Sequence, residues 1–375
     1  MTETMRAWLL EKEGTIAAAG DAHDRAGTFP AETAAILTEA GYTSLTVPKH
    51  LGGFGMTLPD FLRLQQLLAR ADGASALCMG WHNGLLYHMR EHSLWLEEQQ
   101  AFLMKEAVAG KLYNAVASER ASGSPARGGK PETIAERTED GWILNGHKAF
   151  ASMAPVLDYA AITANIEGEG AAQFLVPMQT AGITVEKTWD SIAMRGTASH
   201  DLRLENVSLR PDAKIQLQPQ QVQPVNGWLL HIPACYLGIA ERAFRTAVSF
   251  SQSYSPNSLD GTISETAHVR AKLGEMELLL RQSEAVLYRT AEQYEAAAKE
   301  DKPDLQPDLA AAKYTVTNNG MRMVDLAMRI GGAGSLSAQS TLQRCYRDIR
   351  AGLHNPPMDD IVLDQLADEA LKRHS

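Results

Sequence analysis

The chain has 375 residues, 45% hydrophobic and 21% charged, the composition of a folded protein with two or three domains at roughly 150 residues each. Its 45 acidic against 35 basic side chains give a net charge of −10, which argues against nucleic-acid binding because nucleic-acid binders present a basic surface. The longest apolar run, residues 228–240, is shorter than the roughly 20 residues of a membrane helix, and no secretion signal is visible, so we expect a cytoplasmic protein.

Residues 1–112 are predicted to form a helical domain. One amphipathic segment runs over 31–40 and ends at Gly41. A second runs over 58–68, with its apolar side chains near one face and Asp60 in its first turn. Between the two segments, Gly52 and Gly53 interrupt the helical pattern.

Residues 113–224 are predicted to form a β domain. Asp140-Gly141 indicates a hairpin turn before a strand over 142–144, and Asn145-Gly146 indicates a second turn. A further strand is predicted over 202–209, and residues 216–224, rich in Gln and Pro, are predicted to be a connector.

Residues 225–375 are predicted to be helical again. Apolar side chains recur at helical spacing in two stretches, and Gly331-Gly332 ends the second. The order of helices, strands and helices favours segregated layers over βαβ repeats, so we predict a mainly α member of the α+β class. The members of the two stripes are Val269, Leu273, Met276, Leu280 and Leu287, then Val316, Met323, Ala327 and Ile330.

Several familiar motifs fail. The glycines at 332 and 334 lack the third glycine of a dinucleotide fingerprint, and residues 123–130 are one residue too long for a phosphate loop. His88 and His92 frame an HxxEH pattern, but no third ligand is evident, so we predict no metal site. The three cysteines are widely separated and include no CxxC pair, which predicts reduced thiols.

Four groups of segments together resemble the acyl-CoA dehydrogenase superfamily of FAD enzymes, in its order and spacing. The resemblance implies an N-terminal helical domain, a middle β-barrel-like domain and a C-terminal four-helix bundle, with FAD between the last two. It also implies a homotetramer or homodimer built by the C-terminal helices. The segments are 47–55, 118–124 with 141–148, 194–207, and 331–334 with 344–348.

The resemblance also implies roles for single residues. Phe150 stands where the family stacks a tryptophan on the flavin, and Ser152 where a hydroxyl contacts the ring edge near N5. Ser118 and Ser124 belong to the loop that hydrogen-bonds flavin, and Ser124 also approaches the substrate thioester. Gly331 and Gly332 are expected to contact the adenosine diphosphate half of FAD. His82 is expected to contact the substrate.

One family feature is missing. Abstraction of the α-proton from an acyl thioester needs a base, and the family's usual glutamate falls on Pro356 here. An alternative position in the family falls near Trp228, which is no base either. His354, in a His-Asn-Pro-Pro stretch, is the nearest candidate catalytic residue, and Asp359 and Asp360 lie slightly too far along the chain.

The leading hypothesis is acyl-CoA dehydrogenation, with an electron-transfer flavoprotein as electron acceptor. The alternative is a reduced-flavin-dependent monooxygenase resembling dibenzothiophene monooxygenase, with FMN in place of FAD and a flavin reductase as partner. The missing glutamate, Trp81-His82 and His354 favour this alternative. A further alternative is a flavin- or acyl-CoA-binding protein without turnover.

Overall fold

The computed structural model describes residues 2–122, 130–220 and 224–374. Helices come first, a curled mainly antiparallel sheet follows, and helices close the chain, as predicted. The first helical layer is α1 (Thr2–Ala26), α2 (Ala31–Glu39), α3 (Leu58–Ala71), α4 (Gly73–His92) and α5 (Glu97–Val108).

The corner between α3 and α4 depends on the side chain of Asp72. Thr57 caps the start of α3, where its hydroxyl accepts a hydrogen bond from the Asp60 N–H at 3.4 Å. Asp72 ends α3 and caps α4 by accepting from the Ser75 N–H at 2.9 Å. Because the two helices share one capping residue, α4 leaves α3 in a fixed direction into the centre of the molecule.

The middle layer is a seven-stranded sheet in the described part of the chain, ordered β1-β4-β2-β3-β7-β6 with β5 paired to β4. Apolar side chains of the sheet form a core of their own, separate from the helical core. The strands are β1 (Tyr113–Val116), β2 (Ile134–Thr138), β3 (Gly141–Ala151), β4 (Tyr159–Ile166), β5 (Gly170–Pro177), β6 (Ile183–Glu186) and β7 (His200–Leu209).

The turn predicted at Asn145-Gly146 is wrong, whereas the hairpin at Asp140-Gly141 is confirmed. Asn145 and Gly146 lie inside β3, which continues to Ala151 across a bulge opposite β7. A Cβ on Gly146 would lie 2.3 Å from the Thr133 hydroxyl, so glycine is required here by a close approach and not by a turn.

The last layer is α6 (His231–Ser253), α7 (Ala267–Ala296), α8 (Gln306–Gly331), α9 (Thr341–Ile349) and α10 (Asp359–His374). The first ten residues of α6 are all buried between α3, α4 and α8. Gly332 follows α8 with a φ of 56°, which ends that helix as predicted. In the described residues, no helix combines the length and apolarity needed to cross a membrane.

A buried ionic network joins the layers. Arg344 on α9 contacts Asp21 at 2.8 Å and also pairs with Asp72 and Asp348. Asp348 in turn accepts a hydrogen bond from the Met194 N–H at 2.6 Å. The loop that precedes β7 is therefore anchored to both helical layers.

Candidate active site

Phe150 presents an open aromatic face near the end of β3. Its backbone φ is 60°, and 52% of its surface is exposed, which is unusual for an aromatic side chain in a sheet. The Arg120 guanidinium lies 5.6 Å from the ring centroid and is held by Asp201, and Trp189 meets the ring edge-on. This is the flat apolar partner that a stacked ring requires.

A chain of hydroxyl groups lies two residues further on. The Ser152 and Ser199 oxygens are 2.9 Å apart, and the Ser199 and Thr197 oxygens 2.8 Å apart. The Thr197 hydroxyl donates to the Met194 carbonyl at 2.9 Å. Ser152, the last of these hydroxyls, is 8% exposed, so this end of the hydroxyl chain retains slight solvent access.

The described part of the segment that contains Ser118 is held by a buried ion pair. The Ser118 carbonyl accepts from the Ala149 N–H at 2.9 Å, and the Glu119 carboxylate contacts Lys148 at 2.6 Å. Burial works to raise the pKa of Glu119, but Lys148, Thr133 and backbone N–H donors outweigh it and lower the pKa to about 2. Ser124 lies outside the described residues.

A stripe of aromatic and imidazole side chains lies beside this site. On the otherwise largely buried α4, Trp81, Leu85 and His88 form one partly exposed face. Its first member is one turn from Cys78, whose sulfur lies 3.9 Å from the Thr197 carbonyl, so the stripe begins next to the hydroxyl chain. The Trp228 ring packs against those of Trp81 and His88, each with centroids 5.7 Å apart.

His231 lies behind this stripe without a hydrogen-bond partner. Its ring centroid is 4.9 Å from that of Trp81, it is fully buried, and neither of its nitrogens has a described partner. Burial lowers the pKa of His231 to about 3. Burial, with a contribution from His92, also lowers the pKa of His88 to about 3, and His88 Nδ1 is likewise unpartnered. We call Trp81, Leu85, His88, Trp228 and His231 the indole–imidazole site.

The HxxEH residues do come together in the structure. The ligand atoms of His88, Glu91 and His92 lie within 4.8 Å of one another. Glu91, however, already pairs with Lys302 and accepts a hydrogen bond from Tyr294 at 3.0 Å. An ammonium on the carboxylate neutralises the charge that would attract a cation, so the cluster is better described as a buried ion pair next to two histidines.

The hydrogen bonds of His82 speak against its expected role in substrate binding. The side chain is fully buried, Nε2 contacts the Thr43 carbonyl at 2.8 Å, and Nδ1 accepts from the Tyr113 N–H at 3.0 Å. Both ring nitrogens are therefore occupied by backbone groups. His82 joins α4 to the first strand and leaves no nitrogen for a ligand.

The segment after α9 contains the other expected residues. His354 is exposed, whereas the next residue, Asn355, accepts a hydrogen bond from the buried Tyr236 hydroxyl at 2.5 Å. The Asp359 oxygens contact Lys313 at 3.1 Å and Asn318 at 3.0 Å. Gly331 and Gly332 lie at the end of α8, and their contact with a cofactor remains a prediction.

Sequence reasoning did not assign roles to Thr197, Ser199, Trp228 and His231. Thr197 and Ser199 lie within one of the family-like segments, but their mutual contact depends on the loop that precedes β7. A histidine inside the apolar run 228–240 was a signal for His231, since an unpaired polar group is costly in such surroundings.

Three family models match consecutive parts of the chain. They describe the acyl-CoA dehydrogenase N-terminal domain at residues 1–111, the middle domain at 114–207 and the C-terminal domain at 230–354. Among curated proteins, the chain is 45% identical to "Putative acyl-CoA dehydrogenase YdbM" of Bacillus subtilis (strain 168), over 99% of this chain and 98% of that relative. It is 28% identical to L-evernosamine nitrososynthase of a Micromonospora species, over 93% of this chain and 85% of that relative.

Solved structures of TdsC from Paenibacillus sp. A11-2, a dibenzothiophene monooxygenase, are also similar. The FMN-bound form superimposes with a TM-score of 0.86 at 25% identity, covering 97% of this chain and 96% of that chain. The indole-bound form gives 0.86 at 25% identity, covering 98% and 97%.

Proposed function

We infer the reaction from one premise that these matches establish: the chain belongs to the acyl-CoA dehydrogenase family of flavoprotein oxidoreductases. Within that family, we propose a monooxygenase that uses reduced flavin and O2 on a neutral, flat aromatic substrate.

The proposal rests on one observation, the loss of the base at position 356. Proline has no group that accepts a proton, so the α-proton of an acyl thioester has no acceptor there. The nearby carboxylate of Asp359 is engaged by Lys313 and Asn318. Monooxygenation removes no α-proton from its substrate, so the reaction does not need the missing glutamate.

The residues present fit a flavin. Phe150 offers an exposed ring face for stacking, and Ser152 offers a hydroxyl two residues away for a polar ring edge. Bound reduced flavin would supply the two electrons with which O2 is split between substrate and water. The task left to the chain is to hold both ligands, exclude bulk water and provide polar contacts; His354 is the proposed hydrogen-bond donor on the segment that follows α9.

The indole–imidazole site indicates the substrate class. Indole faces favour a flat aromatic partner, and imidazoles with pKa values near 3 are uncharged at neutral pH, so an anion gains nothing from them. The indole complex of TdsC supports this class, and indole is the first compound to test.

Acyl-CoA dehydrogenation is the second candidate. It is favoured by the 45% identity to a relative whose name carries that activity. In that case FAD would be held tightly and an electron-transfer flavoprotein would accept its electrons. In either case we propose a homodimer or homotetramer in the cytoplasm, which size-exclusion chromatography with light scattering would test for the oligomer.

Two assays on one preparation separate the candidates. Reduced FMN or FAD is supplied by a flavin reductase with indole and isotopically heavy O2, and we expect heavy oxygen in the indole product. Anaerobic addition of a panel of acyl-CoAs to the FAD-loaded protein should leave the flavin yellow. Bleaching by an acyl-CoA, with no labelled product from indole or dibenzothiophene, would contradict the proposal and support the dehydrogenase. Trp81→Leu should lower labelled product about tenfold or more, whereas the control Trp8→Leu, the same change at a partly buried position of α1, should not.

A further inference from the structure

The three hydroxyls near Phe150 have a defined direction of hydrogen bonding. The Met194 carbonyl can only accept, so the 2.9 Å contact with Thr197 requires the Thr197 proton to point at it. The proton of the 2.8 Å contact between Thr197 and Ser199 must then come from Ser199. The proton of the 2.9 Å contact between Ser199 and Ser152 must come from Ser152.

The opposite direction is unfavourable. If Thr197 donated to Ser199, its oxygen and the Met194 carbonyl oxygen would face each other at 2.9 Å with no proton between them. Only the first assignment places one proton in each of the three short oxygen–oxygen contacts. Among the described residues, these hydroxyls have no other acceptor.

Ser152 therefore has no proton left for a ligand and offers lone pairs alone. Oxidised flavin has a bare N5 that accepts hydrogen bonds, whereas reduced flavin carries a proton on N5 and donates. Resting on the proposed function and on the expected place of Ser152 at the ring edge, we propose that this hydroxyl chain makes the site selective for reduced flavin. Such a site suits a monooxygenase that captures reduced flavin from a separate reductase.

The size of the effect follows from one hydrogen bond. A bond made in one state and replaced by facing lone pairs in the other corresponds to about a tenfold ratio of dissociation constants, oxidised over reduced. By linkage, a tenfold ratio raises the two-electron potential of the bound flavin by about 30 mV relative to free flavin. Affinity and potential thus report the same preference without turnover.

The experiment compares both redox states of FMN and of FAD on flavin-free protein. Dissociation constants are measured by anaerobic titration with dithionite-reduced flavin and with oxidised flavin, and the potential by titration with a reference dye. In wild type, we expect the reduced form to bind about tenfold more tightly. In Thr197→Val, the Ser199 proton turns to Ser152, which regains a free proton, so oxidised flavin should bind more tightly and the ratio should approach one.

Matched variants distinguish an effect of hydrogen-bond direction from an effect of misfolding. Thr197→Ser keeps the hydroxyl and should keep the tenfold ratio of dissociation constants, oxidised over reduced flavin. In Ser199→Ala that ratio should approach one, as in Thr197→Val. Thr184→Val makes the same change at an exposed position of β6, outside the row of three hydroxyls, and should not change the ratio of dissociation constants. The Met194 carbonyl keeps donors from the Thr197 N–H at 3.0 Å and Trp189 at 3.1 Å, so the loop has other anchors in Thr197→Val.

Each outcome decides the matter. A ratio near one in wild type, or one that Thr197→Val and Ser199→Ala leave unchanged, overturns the selectivity while the monooxygenase proposal stands. A tenfold ratio in wild type that falls to about one in both variants supports the selectivity for reduced flavin, whichever substrate is found. Failure of wild type to bind either state of either flavin overturns this inference and the proposed function together.

Discussion

A buried histidine without partners makes the structure sensitive to acid. Burial lowers the pKa of His231 to about 3, below the ~6.5 of an unfolded chain, so the unfolded state binds the extra proton at intermediate pH. Between those two values the free energy of unfolding therefore rises with pH. His88 acts in the same direction.

We predict that His231→Phe flattens this dependence. The phenyl ring keeps the contact with Trp228 and cannot titrate, so about 2 kcal/mol of the stability difference between pH 5 and pH 7 should disappear. Urea unfolding at both pH values measures it, with the exposed His268→Phe as control. An equal pH difference in His231→Phe and wild type would show that His231 is not held neutral in the folded protein.

Phe150 is expected to retain flavin. Phe150→Ala removes the exposed stacking face and should weaken flavin binding by about tenfold, with little change in thermal stability, because the side chain is half exposed. Phe102→Ala, also exposed, is the control in the same fluorescence titration. Equal flavin affinities in Phe150→Ala and wild type would show that the flavin ring does not stack on Phe150.

The histidine cluster on α4 is predicted to hold no structural metal. Glu91 is already paired with Lys302, so chelation followed by dialysis should change neither the melting temperature nor activity. Elemental analysis checks the same point. Stoichiometric zinc that survives dialysis and is lost in His88→Ala would reverse this assignment.

At the scale of elements, the segment after α9 has a fixed course despite its prolines. The Tyr236 hydroxyl on α6 holds Asn355, and a Cβ on Gly352 would lie 3.0 Å from the Tyr236 ring, so the segment packs closely on α6. A tightly anchored backbone keeps position 356 in one place relative to α6. A carboxylate can therefore be restored there and tested.

Pro356→Glu is expected to create acyl-CoA dehydrogenation or raise it. A well-placed general base contributes about 10²–10⁴-fold, so anaerobic flavin bleaching by acyl-CoA should accelerate within that range. Pro356→Gln, of similar size and without a basic carboxylate, is the control. A folded, flavin-loaded Pro356→Glu protein with no gain over Pro356→Gln would mean that the segment has departed from the family's course.

At the scale of the whole molecule, Arg344 is one of the arginines that connect the N-terminal helices to the C-terminal helices. Arg344 is buried among Asp21, Asp72 and Asp348, and Asp348 in turn holds the loop that precedes β7. Burial works to raise the pKa of Asp72, but the Arg344 guanidinium and the Ser75 hydrogen bonds outweigh it, so the pKa is lowered. The position of the hydroxyl chain thus depends on contacts between distant parts of the sequence.

Arg344→Met should destabilise the protein strongly. Removing one partner of a buried ion pair leaves uncompensated carboxylates and costs about 3–5 kcal/mol of unfolding free energy, measured by urea denaturation. Arg322→Met breaks a half-exposed pair with Glu275 and should cost less than about 1 kcal/mol. Similar losses in both variants would show that the network is not a main connection between the layers.

Much of this architecture was predictable because periodicity and turn residues act locally. The helix over 58–68, the stripe from Val316 to Ile330 and the hairpin at Asp140-Gly141 are all present. The turn prediction at Asn145-Gly146 was wrong because a dipeptide that favours a turn also suits a bulge. The close approach of Thr133, the residue before β2, decides between them. The structure speaks against a substrate contact of His82, which the sequence could not reveal because its hydrogen-bond partners, Thr43 and Tyr113, lie on other elements.

The sequence by itself determined the family, the order of the layers and the absence of a base at position 356, since these depend on residue identity and spacing along the chain. Only the tertiary structure decided which side chains share a site. The hydroxyl chain and the indole–imidazole site each join residues from separate segments. The direction of a hydrogen bond, and the pKa of a buried imidazole, depend on neighbours that only folding brings within a few ångströms.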